Sequence, residues 1–231
     1  MIQVFVCPIE SIEERLFHQL LRFLPKERQH RILRFYHNDD RLRCMIGGLL
    51  AQMQLAKQLQ CEPTALNYQA NKFGKYELTN QKLHFNLSHA GKYVICAISD
   101  QLVGVDIEEK KSRDFSSFQS VWTEREKNLF QVDRLEDFYY LWTAKESYVK
   151  WLGTGLATDL NTVDIDPDGI VYHNGKKVSV RVQTIHIDSQ YQCAVCSECR
   201  VEQLMFITVQ QLKNFFMERW SSEKYTSSRC Y

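Results

Sequence analysis

The chain has 231 residues, enough to bury a substantial core as one domain or as two small ones. Its 29 Lys and Arg against 28 Asp and Glu leave a formal net charge of +1, which argues against bulk nucleic-acid binding and a polyanionic tail and makes any phosphate recognition local. The 8 cysteines come without an export signal, and no apolar run is long enough to span a bilayer, so the reading is a soluble cytoplasmic protein with free thiols and no membrane partner.

In chain order, Met1 to Pro8 alternates as a first strand. Ile12, Leu16, Leu20 and Phe23 recur at helical spacing, and Pro25 ends that helix while serving as first residue of the next, which runs toward Tyr36. This second helix is basic, with Arg28 and Arg31 on one face; a solvated charged face and a phosphate-binding face both fit. Asn38-Asp39-Asp40 supplies capping side chains for a third helix, whose buried stripe is Leu42, Ile46, Leu49, Met53 and Ala56 and which Gly47-Gly48 interrupts. Short strands and turns follow between Pro63 and Gln81, including Phe73-Gly74-Lys75. Leu83 to His89 and Tyr93 to Ile98 read as two strands, with His89 at the turn.

Val103 to Glu108 is the most informative strand. Period-2 alternation sends Val103, Val105 and Ile107 to one face and Gly104, Asp106 and Glu108 to the other, with Gly104 leaving room for a ligand near the backbone. Downstream, Trp142, Glu146 and Lys150 stand at successive i, i+4 steps of a helix predicted from Leu135 to Leu152 and closed by Gly153. If that face turns to the strand, Asp106, Glu108, Glu146 and Lys150 converge, and oxygen-only ligands of this kind suit magnesium. An ordinary exposed Glu146–Lys150 ion pair fits the same spacing.

Between these segments, aromatics from Phe115 to Trp122 form a loop or irregular helix, a candidate protein-docking surface, and Thr123 to Glu126 is a capping-box pattern. Beyond Gly153 come strands at Thr162 to Ile165, Val171 to His173, Val178 to Ile187 and Tyr191 to Cys196, then a helix at Leu212 to Trp220. Cys193, Cys196 and Cys199 repeat every third residue but lack the second pair that a structural zinc site needs. The fold class is α+β, in two similar halves over residues 1–100 and 101–220, with 221–231 as a disordered tail.

Gly104 to Glu108 followed by Trp142-Thr143-Ala144-Lys145-Glu146-Ser147 and Lys150 resembles the paired signature of the 4′-phosphopantetheinyl transferases, Sfp type. Arg34 to His37, Phe73 to Lys75, His84 to Gly91 and Ala194 to Cys196 fall in the order that family shows. The resemblance implies a monomeric pseudo-dimer with its active site in the cleft between the halves. It implies magnesium-dependent transfer of the phosphopantetheine arm from coenzyme A to a serine of an apo acyl or peptidyl carrier protein, releasing 3′,5′-ADP. Such enzymes often serve peptide or polyketide synthetases.

By the same resemblance Asp106, Glu108 and Glu146 hold magnesium; the chemistry of phosphoryl transfer then makes Glu146, directly or through a metal-bound water, the base for the serine hydroxyl and sets Lys150, one turn away, to stabilise or protonate the departing pyrophosphate oxygen. Arg28 and Arg31 meet the 3′-phosphate, Phe73, Gly74 and Lys75 line the adenine end, and Ser88 and His89 reach phosphate oxygens. Tyr76 stands where many relatives have proline, Arg28 and Arg31 replace lysines, and Ala90 replaces a small polar residue. A metal-dependent pyrophosphate hydrolase and a non-catalytic carrier-protein or nucleotide-binding module are the competing readings.

Overall fold

The computed structural model describes residues 1–79 and 82–227. The first half runs β1 (Ile2–Pro8), α1 (Glu14–Leu21), α2 (Lys26–Leu33), α3 (Asn38–Leu59), a β2–β3 hairpin (Tyr68–Ala70, Tyr76–Leu78), β4 (His84–Ala90) and β5 (Tyr93–Ser99). The second runs β6 (Gly104–Glu109), α4 (Glu124–Leu129), α5 (Leu135–Leu152), β7 (Val163–Ile165), β8 (Ile170–His173), β9 (Lys176–Thr184) and β10 (Tyr191–Ser197). Last come β11 (Val201–Phe206) and α6 (Val209–Ser227).

The halves repeat one topology, which makes the molecule an α+β pseudo-dimer. In the first, β1 pairs antiparallel with β5, β5 pairs antiparallel with β4, and the long helix α3 lies in the connection. In the second, β6 pairs with β10, β10 with β9, and α5 occupies the corresponding connection. The sheet orders are β11-β1-β5-β4 and β6-β10-β9-β8-β7.

Strand alternation divides the side chains among three cores. Phe5, Cys7, Val94 and Cys96 pack with α3, and Ala194 and Cys196 pack with α5. On the opposite faces, Val4, Val6, Ile95 and Ala97 share a central core with Val103, Val105, Ile107, Cys193 and Val195. Cys193 and Cys196 thus face opposite sides of one strand and serve as small apolar filler. The seven cysteines from Cys7 to Cys199 are free thiols. Among the described residues no helix is long and apolar enough to cross a membrane.

Several local expectations change. The side chains of Asn38 and Asp40 do not cap α3: His37 holds the N-cap position without a side-chain bond, Asn38 accepts from Arg41, and Asp40 pairs with Arg43 at 2.8 Å. The strand β11 gives no alternation signal because most of its side chains are exposed, yet it pairs in parallel with β1. Behind it, Val209, Leu212 and Phe216 of α6 join the core under α3. The chain beyond residue 200 thus adds a strand and a helix to the sheet and core of the first half. The helix α6 continues to Ser227, into the segment expected as a tail, and residues 228–231 lie outside the described residues.

Candidate active site

The free edge of β6 faces β4 without a backbone ladder. Two side chains replace it: Asn86 Oδ1 accepts from the Val105 amide (2.9 Å), and Ser88 Oγ accepts from the Ile107 amide (3.3 Å). Polar residues at i and i+2 on one buried face of β4 thus satisfy alternate amides of β6 across the junction between the halves.

The other face of β6 meets α5. Gly104 is in contact with the helix backbone, where an added methyl would collide with the Ser147 carbonyl oxygen and the Trp151 amide nitrogen. The expected room at Gly104 is therefore filled by α5 and not open to a ligand. This close approach brings the Trp142–Glu146–Lys150 face of α5 alongside Asp106 and Glu108.

A cavity of about 570 Å³ opens there. Arg28 and Arg31 of α2, Phe73, Gly74 and Lys75 of the hairpin loop, Ser88 and His89 of β4, Asp106 and Glu108 of β6, and Glu146 and Lys150 of α5 all line it. The sequence-predicted residues thus share one space. A larger groove of about 940 Å³ lies beyond Arg43, which borders both, but none of those residues lines it.

Charge is arranged by position. Lys150 Nζ donates to Asp106 Oδ1 (2.6 Å) and to Ser88 Oγ (3.0 Å), and Ser88 Oγ also donates to Asp106 Oδ1 (2.9 Å). Ser88, which also lines the cavity, thus holds Asp106 and Lys150 in place through its hydroxyl. Asp106 is 4% exposed and its Oδ2 has no partner. Glu108 accepts from Trp142 Nε1 at 3.2 Å. Burial, reinforced by the Asp106 charge, raises the pKa of both Glu108 and Glu146 above the ordinary carboxylate value.

At the other end, Arg28 passes over Gly48 of α3, where a methyl would press on Arg28 Nε and Leu24, and its guanidinium faces the Tyr76 ring at 5.9 Å. This explains one of the paired glycines in α3. Lys75 Nζ donates to the Lys150 carbonyl (2.7 Å), and burial lowers its pKa. Burial, with the Arg43 and Lys150 cations, likewise holds the His89 imidazole below its usual range.

The carboxylates fit a divalent cation by their chemistry: all donors are oxygens, one buried oxygen lacks a partner, and two of the acids resist ionising beside the third. Among the described residues no three acidic, imidazole or thiol groups already close around one point. Such a set suits an ion that completes its shell with a ligand and water.

Sequence reasoning missed several supports. The buried pair Lys145–Glu126 (2.7 Å, both side chains 0% exposed) ties α5 to α4, and Lys145 also donates to the carbonyls of Val121 and Leu160. The capping box at Thr123 and Glu126 was the available signal, since a box glutamate also bonds elsewhere; Glu126 accepts from Ile165. In the aromatic segment, where none of Ser116–Val121 is fully buried, Phe118 packs edge-on against Phe138 (5.1 Å) and Trp142 (5.3 Å), so it buttresses the site wall.

Relatives give this two-part fold and cleft a class. Two family models match the chain, the 4′-phosphopantetheinyl transferase superfamily over residues 102–196 and 4′-phosphopantetheinyl transferase, N-terminal, over residues 11–101. The chain is 30% identical over 230 residues to the 4′-phosphopantetheinyl transferase gsp of Aneurinibacillus migulanus, covering 95% of this chain and 97% of that one. It is 28% identical over 204 residues to the 4′-phosphopantetheinyl transferase Sfp of Bacillus subtilis, covering 82% and 88%. To the L-aminoadipate-semialdehyde dehydrogenase-phosphopantetheinyl transferase of Saccharomyces cerevisiae it is 33% identical over 178 residues, covering 70% and 65%. The class is that of enzymes that transfer a phosphopantetheinyl group. This chain belongs to the 4′-phosphopantetheinyl transferase superfamily, Sfp type.

Proposed function

We propose that this enzyme moves the 4′-phosphopantetheine arm of coenzyme A onto a serine hydroxyl of an apo acyl or peptidyl carrier protein, with magnesium, releasing 3′,5′-ADP. It works as a cytoplasmic monomer whose second half stands in for a second subunit, and its acceptors belong to peptide or polyketide synthetases. The observation that carries the reading is one cavity with Arg28, Arg31 and Lys75 on its walls together with Asp106, Glu108, Glu146 and Lys150. A ligand with a phosphate at one end and a pyrophosphate at the other matches that distribution of charge.

Asp106, through its free Oδ2, Glu108 and Glu146 would hold magnesium, which supplies charge neutralisation at the pyrophosphate oxygens. The rest falls to side chains of the chain itself. Arg28 and Arg31 grip the 3′-phosphate, and Phe73 to Lys75 receive the adenine. Glu146, whose raised pKa favours holding a proton, accepts the one that the serine hydroxyl loses as its oxygen bonds the β-phosphorus of coenzyme A. The bond between that phosphorus and the bridging oxygen breaks, and Lys150 stabilises the oxygen that leaves on 3′,5′-ADP. Asp106 and Ser88 keep the Lys150 ammonium aimed for that step.

Intact-mass analysis of several apo carrier proteins after incubation with the enzyme, magnesium and coenzyme A tests this. One phosphopantetheine added per carrier is the expected result. Cleavage of coenzyme A without any acceptor, and without loading when one is present, would replace it with a hydrolase.

A further inference from the structure

The last carbonyls of a helix have no partner within it, and α5 is the helix that carries Glu146 and Lys150. Its own C-cap satisfies one of them: Gly153, in the left-handed conformation at φ 71°, donates its amide to Val149 O (2.9 Å). Two further carbonyls are met from the other half of the molecule. Lys75 Nζ donates to Lys150 O at 2.7 Å, and Asn71 Nδ2 donates to Gly153 O at 3.0 Å. A cation at a helix C-terminus is also favourable to the helix dipole.

Asn71 does more than reach across. Its Oδ1 accepts from the amides of Phe73 (2.9 Å) and Lys75 (3.1 Å), and its own amide donates to Lys75 O (2.9 Å), which closes the loop between β2 and β3. One side chain therefore shapes the Phe73–Lys75 loop with its oxygen and fastens that loop to the end of α5 with its nitrogen. Asn71 does not itself line the cavity.

We propose that the β2–β3 hairpin serves as the C-terminal cap of α5 and that Asn71 is the positioning residue that couples ligand binding on Phe73–Lys75 to the placement of Glu146 and Lys150. The assignment rests on the coenzyme A reading above for its kinetic part. It predicts that the enzyme senses one end of its ligand at the other: filling the Phe73–Lys75 loop steadies the last turn of α5, and loosening that turn weakens the loop's grip.

The test separates the two ends of one side chain. Asn71→Asp keeps an acceptor for the Phe73 and Lys75 amides but sets an oxygen against Gly153 O; Asn71→Ala removes both functions. For Asn71→Asp we expect kcat to fall and KM for coenzyme A to rise, together lowering kcat/KM about fivefold, as one neutral hydrogen bond is lost. Its urea midpoint should stay near that of the parent. In a Lys150→Ala background the kcat effect of Asn71→Asp should shrink, because only the placement of Glu146 is left to disturb, while the KM effect remains. By hydrogen exchange, the Gly153 amide should exchange faster in both variants, and the Phe73 and Lys75 amides faster only in Asn71→Ala.

Unchanged kinetics and unchanged Gly153 exchange in Asn71→Asp would overturn the proposal, as would kinetic losses that merely follow a fall in the urea midpoint. If the parent enzyme loads no carrier, the coenzyme A reading fails by itself. The exchange pattern then still decides whether the cap exists.

Discussion

Lys150 Nζ sits 2.6 Å from Asp106 Oδ1, and the other oxygen of the same carboxylate is buried without a partner. One oxygen of this carboxylate is thus paired with α5 while the other is left unpaired. Replacing Asp106 with Asn should abolish magnesium binding measured by titration calorimetry. Lys150→Ala should leave that binding in place yet lower kcat about a hundredfold, the scale seen when a preorganised charge is removed. Loss of magnesium binding in Lys150→Ala would show that the two groups act as one unit.

Burial first, and then the Asp106 charge, raise the pKa of Glu146 above the ordinary glutamate value. Between the ordinary glutamate value and the raised one, the folded protein binds more protons than the unfolded chain. Stability therefore falls as pH rises through that window, and the penalty is fully present above it. In metal-free buffer, Glu146→Gln should melt at a higher temperature than the parent at pH 7, with the gap closing below about pH 4 where both states are protonated. The same variant should lose transfer activity. A lower melting temperature at pH 7 would contradict the charge assignment.

Gly104→Ala tests the close approach of β6 to α5. The added methyl meets helix backbone at the Ser147 carbonyl and the Trp151 amide, which cannot swing aside as a side chain would. A loss of about 3 kcal/mol in urea unfolding is expected, at the upper end of overpacking costs. Activity should drop further than stability does, because any shift of α5 also displaces Glu146 and Lys150.

Lys145→Met probes the buried ion pair behind the site. It leaves Glu126 charged and the Val121 and Leu160 carbonyls without their donor, so it should cost about 3–5 kcal/mol. Chemical denaturation measures this. Replacing both partners with apolar residues should not restore stability, because the Thr123 and Ile165 amides that Glu126 serves would also be abandoned.

The parts of this molecule that could be read from the chain are those whose cause lies within a few residues. Alternation fixed which side of β6 holds Asp106 and Glu108, i, i+4 spacing aligned Trp142, Glu146 and Lys150, and Gly153 marked the end of α5. The parts that could not be read depend on a distant partner. Gly104 looked like space for a ligand because the helix that fills it begins some thirty residues later in sequence. Lys145 belonged to a motif, but its burial depends on Glu126 of another helix. Nothing near Ser88 in the chain showed that Lys150 and Asp106 would engage its hydroxyl. Nothing within the aromatic segment showed that Phe118 would pack against Trp142.

The parallel pairing of β1 with β11 has a consequence for how the protein is made. Emerging from the ribosome, β1 can pair with β5 as soon as Ser99 is available, but its other edge stays open until Val201 to Phe206 has been synthesised. An open edge is a template for wrong pairing, and long-range parallel pairing is slow to form. The second half can complete its own sheet in that interval. Although the two halves share a topology, they are not built in turn: the one that starts first is finished last.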